Sequence, residues 1–212
     1  MSRAVFITLE GGEGAGKSTQ ARTLAQRLRA KGRDVLVTRE PGGSPWAEKL
    51  RAGLISEKGR ALDPSEQAIL FAAARADHVD TVIKPALRDG QWVVCDRFVD
   101  STDAYQGTAG APASLMALLR SVAVGDAMPD LTFVLDLPPD IGRERAAGRD
   151  ALDPFERDSL AVQEARREAF LAIAASSPDR CVVVDATASH DEIADAIWVV
   201  VRERLMPGLT VS

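Results

Sequence analysis

A short run of apolar and β-branched residues, AVFITLE (Ala4 to Glu10), leads straight into a glycine-rich turn, and a helical pattern begins on its far side. The turn has the spacing G-x-x-x-x-G-K-[ST], with Gly11, Gly16, Lys17 and Ser18 at the fixed positions. A strand that ends in such a turn and continues as a helix aims successive backbone N–H groups at phosphate oxygens, and the helix N-terminus adds its dipole. Gly11, Gly12, Glu13, Gly14, Ala15, Gly16, Lys17, Ser18 and Thr19 are therefore the candidate cradle for a nucleoside triphosphate. Lys17 is spaced to reach the β- and γ-phosphates, and Ser18 to ligate Mg²⁺. The motif names the ligand class and leaves the reaction open. Glu13 is the anomaly, a carboxylate inside a loop built for anions.

The rest of the chain repeats the alternation. DVLVT (Asp34 to Thr38), WVVCD (Trp92 to Asp96), LTFVLDL (Leu131 to Leu137) and CVVVDA (Cys181 to Ala186) read as further buried strands. Helical patterns run over Ser18–Lys31, Trp46–Ser56, Pro64–Leu87, Leu115–Val124 and Asp191–Leu205, and over Pro139–Ser177 with a charged interruption. No hairpin signal separates the strands. The expected fold is α/β, a five-stranded parallel sheet flanked by helices. No repeat or low-complexity linker divides the chain, so residues 1–206 read as one domain and 207–212 as a loose C-terminal tail.

Composition narrows the function. The net charge of −5 argues against a general binder of nucleic acid, so any anion site must be made locally. No apolar run approaches the roughly 20 residues that span a bilayer. Cys95 and Cys181 sit in strand-like runs as buried thiols, and Met1-Ser2-Arg3 leads directly into the first strand; both features predict a cytoplasmic protein. A guanine-reading Asn-Lys-x-Asp is ruled out because the chain contains no asparagine. A motor or transporter ATPase would carry a second signature, and none is visible. A small-molecule kinase remains, which needs a second anion site. Arg39, Arg51, Arg75, Arg97, Arg143, Arg145 and Arg149 are available for one. Asp96 and Asp136 each end a predicted strand and could help to hold Mg²⁺; Asp96 is favoured because Arg97 follows it.

TREPGG (Thr38 to Gly43), AEKLR (Ala47 to Arg51), LFAAAR (Leu70 to Arg75), VIKPAL (Val82 to Leu87), DRFVDSTDAYQG (Asp96 to Gly107), PDLTFVLDL (Pro129 to Leu137) and DAT (Asp185 to Thr187) follow in an order that resembles the bacterial thymidylate kinase family. The resemblance covers nearly the whole chain. It implies a nucleoside-monophosphate kinase of the P-loop NTPase class, with a short lid at about residues 142–153. The implied reaction is ATP + dTMP to ADP + dTDP with Mg²⁺, carried out by a homodimer. On this resemblance Glu13 accepts a hydrogen bond from the 3′-hydroxyl of dTMP, Phe71 stacks on thymine, and Arg75 hydrogen-bonds a base oxygen. Arg51 and Arg97 grip the acceptor phosphate. Tyr105 crowds C2′, while Ser101 and Gln106 also belong to the dTMP site. The run after Gly107 reads TAGA, without the arginine that family members often carry there.

The acceptor is a phosphate monoester whose second pKa is near 6, so it is already largely dianionic at neutral pH. A general base is not needed, and His78 and His190 carry no expected role. What the reaction needs is cationic stabilisation of the transferring phosphoryl group. No residue between Gly11 and Gly16 is basic, so Lys17 and Arg97 are expected to be joined by Arg145 and Arg149 of the lid. Another small P-loop kinase, acting on a nucleoside or a different monophosphate, is the alternative enzyme. A nucleotide-binding module without catalysis is the alternative of another class.

Overall fold

The apolar runs form five strands: β1 (Phe6–Gly11), β2 (Val35–Arg39), β3 (Trp92–Asp96), β4 (Leu131–Asp136) and β5 (Cys181–Asp185). In the computed structural model, which describes residues 4–146 and 158–206, they make one all-parallel sheet in the order β2-β3-β1-β4-β5. β1 is buried along its whole length. Its alternating side chains divide between two cores, as a strand's period of two requires. Ile7 and Leu9 join a cluster with Leu24, Leu28 and Ile197, residues of α1 (Lys17–Ala30) and α10 (His190–Leu205). Phe6 packs on the opposite face with Ile83, Val93 and Phe98. Thr8 lies fully buried and shares a 2.7 Å hydrogen bond with Thr132 of β4.

Further helices follow β2 and β3 in the chain. These are α2 (Pro45–Leu54), the short α3 (Glu57–Arg60), α4 (Pro64–His78), α5 (Lys84–Arg88) and α6 (Val99–Thr102). α7 (Ala113–Ala123), α8 (Pro139–Ala146) and α9 (Leu160–Ser176) complete the described helices before α10. α4 starts sharply because Pro64 follows Asp63, and Asp63 and Glu66 form a reciprocal capping box.

Two expectations are refined. The Pro64–Leu87 segment is interrupted by a π-helical turn at Val79–Ile83 that joins α4 to α5. A second π turn, Asp103–Gly107, extends α6 and carries Tyr105 and Gln106; such bulges commonly mark functional sites. The second and fifth strands, expected to be buried, are the sheet edges, and Val183 is 45% exposed. An apolar run reports helices covering both faces of a sheet; it does not report whether the strand also has a neighbour on each side.

Candidate active site

β1 ends at the phosphate loop, and α1 begins immediately after Gly16, which is left-handed at φ 85°. Glycine is required twice more in this loop. A Cβ on Gly11 (φ 132°) would lie 2.4 Å from the carbonyl oxygen of Leu135, and one on Gly14 (φ 74°) 2.3 Å from that of Gly142. The loop is thus seated on β4 and on α8. Lys17, buried beneath it, donates a 2.5 Å hydrogen bond to the carbonyl of Gly12. Burial and the nearby Arg97 push the Lys17 ammonium down to about 8, partly opposed by Asp96, Glu13 and Glu10.

Ser18 donates its hydroxyl proton to Asp96 Oδ2, and Asp96 Oδ1 is buried with no hydrogen-bond partner among the described residues. A hydroxyl beside a carboxylate with a spare oxygen suits a hard divalent cation. Asp136, the rival, instead accepts two bonds from Arg167 of α9, at 2.6 and 3.0 Å.

One cavity of about 400 Å³ opens beside the loop. It is lined by Lys17, Ser18 and Asp96, and by every residue expected to hold the acceptor: Glu13, Arg51, Phe71, Arg75, Arg97, Ser101, Tyr105 and Gln106. Phe71 and Arg75 reach it from α4, one turn apart. Arg51, from α2, is braced by a 2.6 Å bond to the carbonyl of Pro41. Gln106 is buried and donates to Gln67 at 3.0 Å.

Arg97 is the centre of the arrangement. It is the described non-glycine residue with a left-handed backbone (φ 68°), a conformation that costs about 1 kcal/mol or more and is kept where surrounding contacts demand it. Nη1 donates to the carbonyl of Gly11 (3.1 Å) and to Ser101 Oγ (3.0 Å), and Nη2 to the Tyr105 hydroxyl (3.0 Å). Nη2 also stands 3.6 Å from Glu13 Oε1, which accepts the Tyr105 proton. Burial raises the Glu13 pKa, but Arg97, Lys17 and the Tyr105 hydrogen bond outweigh it, and the carboxyl stays below its ordinary range. The Tyr105 phenol is pushed up, first by burial.

Arg145 is not brought to the cavity. Its guanidinium donates to the carbonyls of Ala186 (2.7 Å) and Thr187 (3.1 Å), in the turn after β5. Arg149, most of the expected lid and the tail 207–212 lie outside the described residues.

Sequence reasoning missed the supports. Glu40, 6% exposed, accepts from Arg75 Nε (2.7 Å) and pairs with His78 Nδ1 (3.0 Å), while His78 Nε2 meets Thr38 (2.7 Å). Arg75 Nη2 then donates to the Phe98 carbonyl and to Thr102. The adjacency of Glu40 to Pro41 and Gly42 in TREPGG was a visible signal; His78 had none. Glu10, directed to the same face as Phe6 and Thr8, accepts from Phe98 N–H (2.7 Å) and Ser101 (2.6 Å) and so fixes the turn that follows Arg97.

The comparisons agree with this geometry. The family model for thymidylate kinase matches residues 9–197. The chain is 51% identical over 209 residues to the thymidylate kinase of Bradyrhizobium diazoefficiens, covering 97% of this chain and 92% of that one. It is 52% identical over 209 residues to that of Rhodopseudomonas palustris, with 96% and 91% covered. A crystal structure of thymidylate kinase from Ehrlichia chaffeensis matches with a TM-score of 0.75 at 33% identity, covering 94% of this chain and 98% of that chain. With its five parallel strands, phosphate loop and adjoining cavity in place, the chain belongs to the thymidylate kinase family, P-loop kinases that phosphorylate dTMP to dTDP.

Proposed function

We propose that the cavity binds dTMP beside the phosphate loop and that the γ-phosphoryl group of ATP passes to it in line. One observation carries this reading. A triphosphate cradle and a pocket offering an aromatic face, four arginines and a sugar-sized pair, Glu13 and Tyr105, share a single cavity. In that pocket Phe71 stacks on thymine while Arg75 meets a base oxygen. Glu13, held ionised, accepts from the 3′-hydroxyl. Tyr105 fills the space a 2′-hydroxyl would need. Arg51 and Arg97 hold the acceptor phosphate as planar, permanently charged forks.

Ser18 and Asp96 would hold Mg²⁺, which supplies charge neutralisation on the donor phosphates. Lys17 regains its full charge when phosphate replaces the lost solvent. The acceptor oxygen arrives as an anion, so no side chain has to remove a proton. Arg149 is the lid arginine proposed to complete the clamp.

The test is ADP release with ATP and each of dTMP, dUMP, dCMP, UMP and thymidine. dTMP is expected to give the highest kcat/KM, and thymidine no turnover. Preference for a nucleoside, or for a cytosine or ribose nucleotide, overturns the reading. Tyr105→Ala should lower the preference for dTMP over ribothymidine 5′-monophosphate by about tenfold. A homodimer is also proposed. Leu118 and Val122 of α7 are 59% and 73% exposed, and Ile69 of α4, the helix α7 packs on, is 47% exposed. Light scattering should return twice the chain mass, and a monomeric mass at assay concentration excludes it. The buried free thiols Cys95 and Cys181 suit a reducing, cytoplasmic setting.

A further inference from the structure

The oxygen of Tyr105 is held by Glu13 and Arg97, but its ring is held by a helix that no motif marks. The guanidinium carbon of Arg166, on α9, stands 4.4 Å from the ring centroid, closer than that of Arg97 at 5.1 Å. Phe170, one turn further along α9, meets the ring edge-on with centroids 6.3 Å apart and planes at 73°. Arg166 is only 7% exposed, and a cation over an aromatic face gains most when water is excluded. Burying a guanidinium is costly, and an apolar side chain would pack a helix against a sheet at least as well. The charge therefore needs a reason, and Glu13 supplies one. Against burial, Arg97, Lys17 and the Tyr105 hydrogen bond hold that carboxyl below its ordinary range, and Arg166, behind the same ring, adds the smallest contribution.

Arg166 is also anchored. Its Nη2 donates to Asp158 Oδ2, and Asp158 Oδ1 accepts from Arg60 of α3. The Asp158 carbonyl takes bonds from Arg143 of α8 and from Gln163 (3.2 Å). One aspartate thus ties Arg166 to α3 and α8 as well as to the first turn of its own helix.

We propose that Arg166 is a positioning residue for acceptor-sugar selection: anchored by Asp158, its guanidinium sets the plane of the Tyr105 ring and, through it, the Tyr105 hydroxyl that donates to Glu13. It touches neither nucleotide and acts through those two side chains. The inference rests on the reading of Tyr105 and Glu13 given above.

The experiment is steady-state kinetics of Arg166→Met, Arg166→Lys, Tyr105→Ala and the Arg166→Met/Tyr105→Ala double variant, with dTMP and with ribothymidine 5′-monophosphate. Arg166→Met should raise the KM for dTMP and lower the dTMP-to-ribonucleotide ratio of kcat/KM about five- to tenfold. The KM for ATP should stay within about twofold, a split that general loosening would not give. Arg166→Lys, which keeps the charge over the ring, should recover part of the ratio. The double variant should be no less selective than Tyr105→Ala, because the two residues act as a unit. If Tyr105→Ala lowers the ratio and Arg166→Met does not, the inference is overturned while the Tyr105 reading stands. If Tyr105→Ala leaves the ratio unchanged, the Tyr105 reading fails and the inference falls with it. Should Arg166→Met not fold, Asp158→Asn decides: it leaves Arg166 present but weakly anchored, and an unchanged ratio there overturns the proposal.

Discussion

The two halves of the cavity treat charge in opposite ways. On the donor side, Lys17 is buried with its pKa lowered to about 8, and Asp96 Oδ1 has no partner among the described residues. On the proposed reading these groups are held ready for phosphate and metal at the expense of the empty fold. On the acceptor side, charges are paired before any ligand arrives: Arg75 with Glu40, Arg97 with Glu13, Arg166 with Asp158. The donor site is poised, and the acceptor site is braced. A triphosphate with its metal brings enough charge to complete an unfinished site. A monophosphate brings less, and its pocket must select among similar sugars and bases, which demands side chains fixed in advance.

The sharpest way to break this contrast is Lys17→Met. It should lower kcat by about 10³-fold, since a cation aimed at the transferring group is lost. Stability should hold or rise, because a depressed lysine pKa means that the charged form is disfavoured by folding. A variant that loses both kcat and several degrees of Tm would show Lys17 to be a brace like the acceptor-side charges.

Arg75→Ala should do the reverse. Removing one partner of a buried ion pair leaves Glu40 with His78 alone, and the loss is about 3 kcal/mol in a urea melt. The KM for dTMP should also rise, with the KM for ATP nearly unchanged. An unaltered melt would mean that the Glu40 network does not brace the pocket.

The same contrast explains what could be read from the sequence. The donor loop is contiguous, so Gly11 to Ser18 declare it by spacing alone. Phe71 and Arg75 are legible because one helical turn links them, and the parallel sheet because strands and helices alternate. His78, Asp158 and Arg166 are illegible for the opposite reason. Their contacts join elements far apart in the chain, such as the π turn at Asp103–Gly107 and α9, and no local period encodes which helix faces which turn. The edge positions of β2 and β5 were hidden likewise, since strand order is a property of the assembled sheet.

The lid arginines sharpen the donor side further. Arg143 donates to the carbonyl of Asp158, and Arg145 to those of Ala186 and Thr187, so both are committed to the frame. That leaves Arg149 as the proposed clamp. Arg149→Ala should lower kcat about 10²-fold with little change in either KM, the pattern of a contact made mainly in the transition state. Arg145→Ala should lose much less kcat. The opposite ranking in the same assay would make Arg145 the clamp, released from its carbonyl partners during turnover.

The smallest effect separates the halves by pH. Lys17 in the empty site has its pKa near 8, and bound phosphate favours the ammonium, raising that value. Affinity for ADP is therefore full below pH 8 and is lost as pH rises past it, by up to about tenfold per unit until the bound-state pKa is reached. The terminal phosphate, with a pKa near 6, is already ionised over this range and adds no slope of its own. ADP should bind about tenfold more weakly at pH 9 than at pH 7, and Lys17→Met should remove the difference. In the proposed acceptor site dTMP would meet arginines, which keep their charge throughout, and a Tyr105 phenol whose pKa is pushed up, away from this window. Its affinity should stay flat. Calorimetric titrations of the two nucleotides at both pH values test this directly. A parallel loss of dTMP affinity would place a titrating group in the acceptor pocket and end the distinction between a poised half and a braced one.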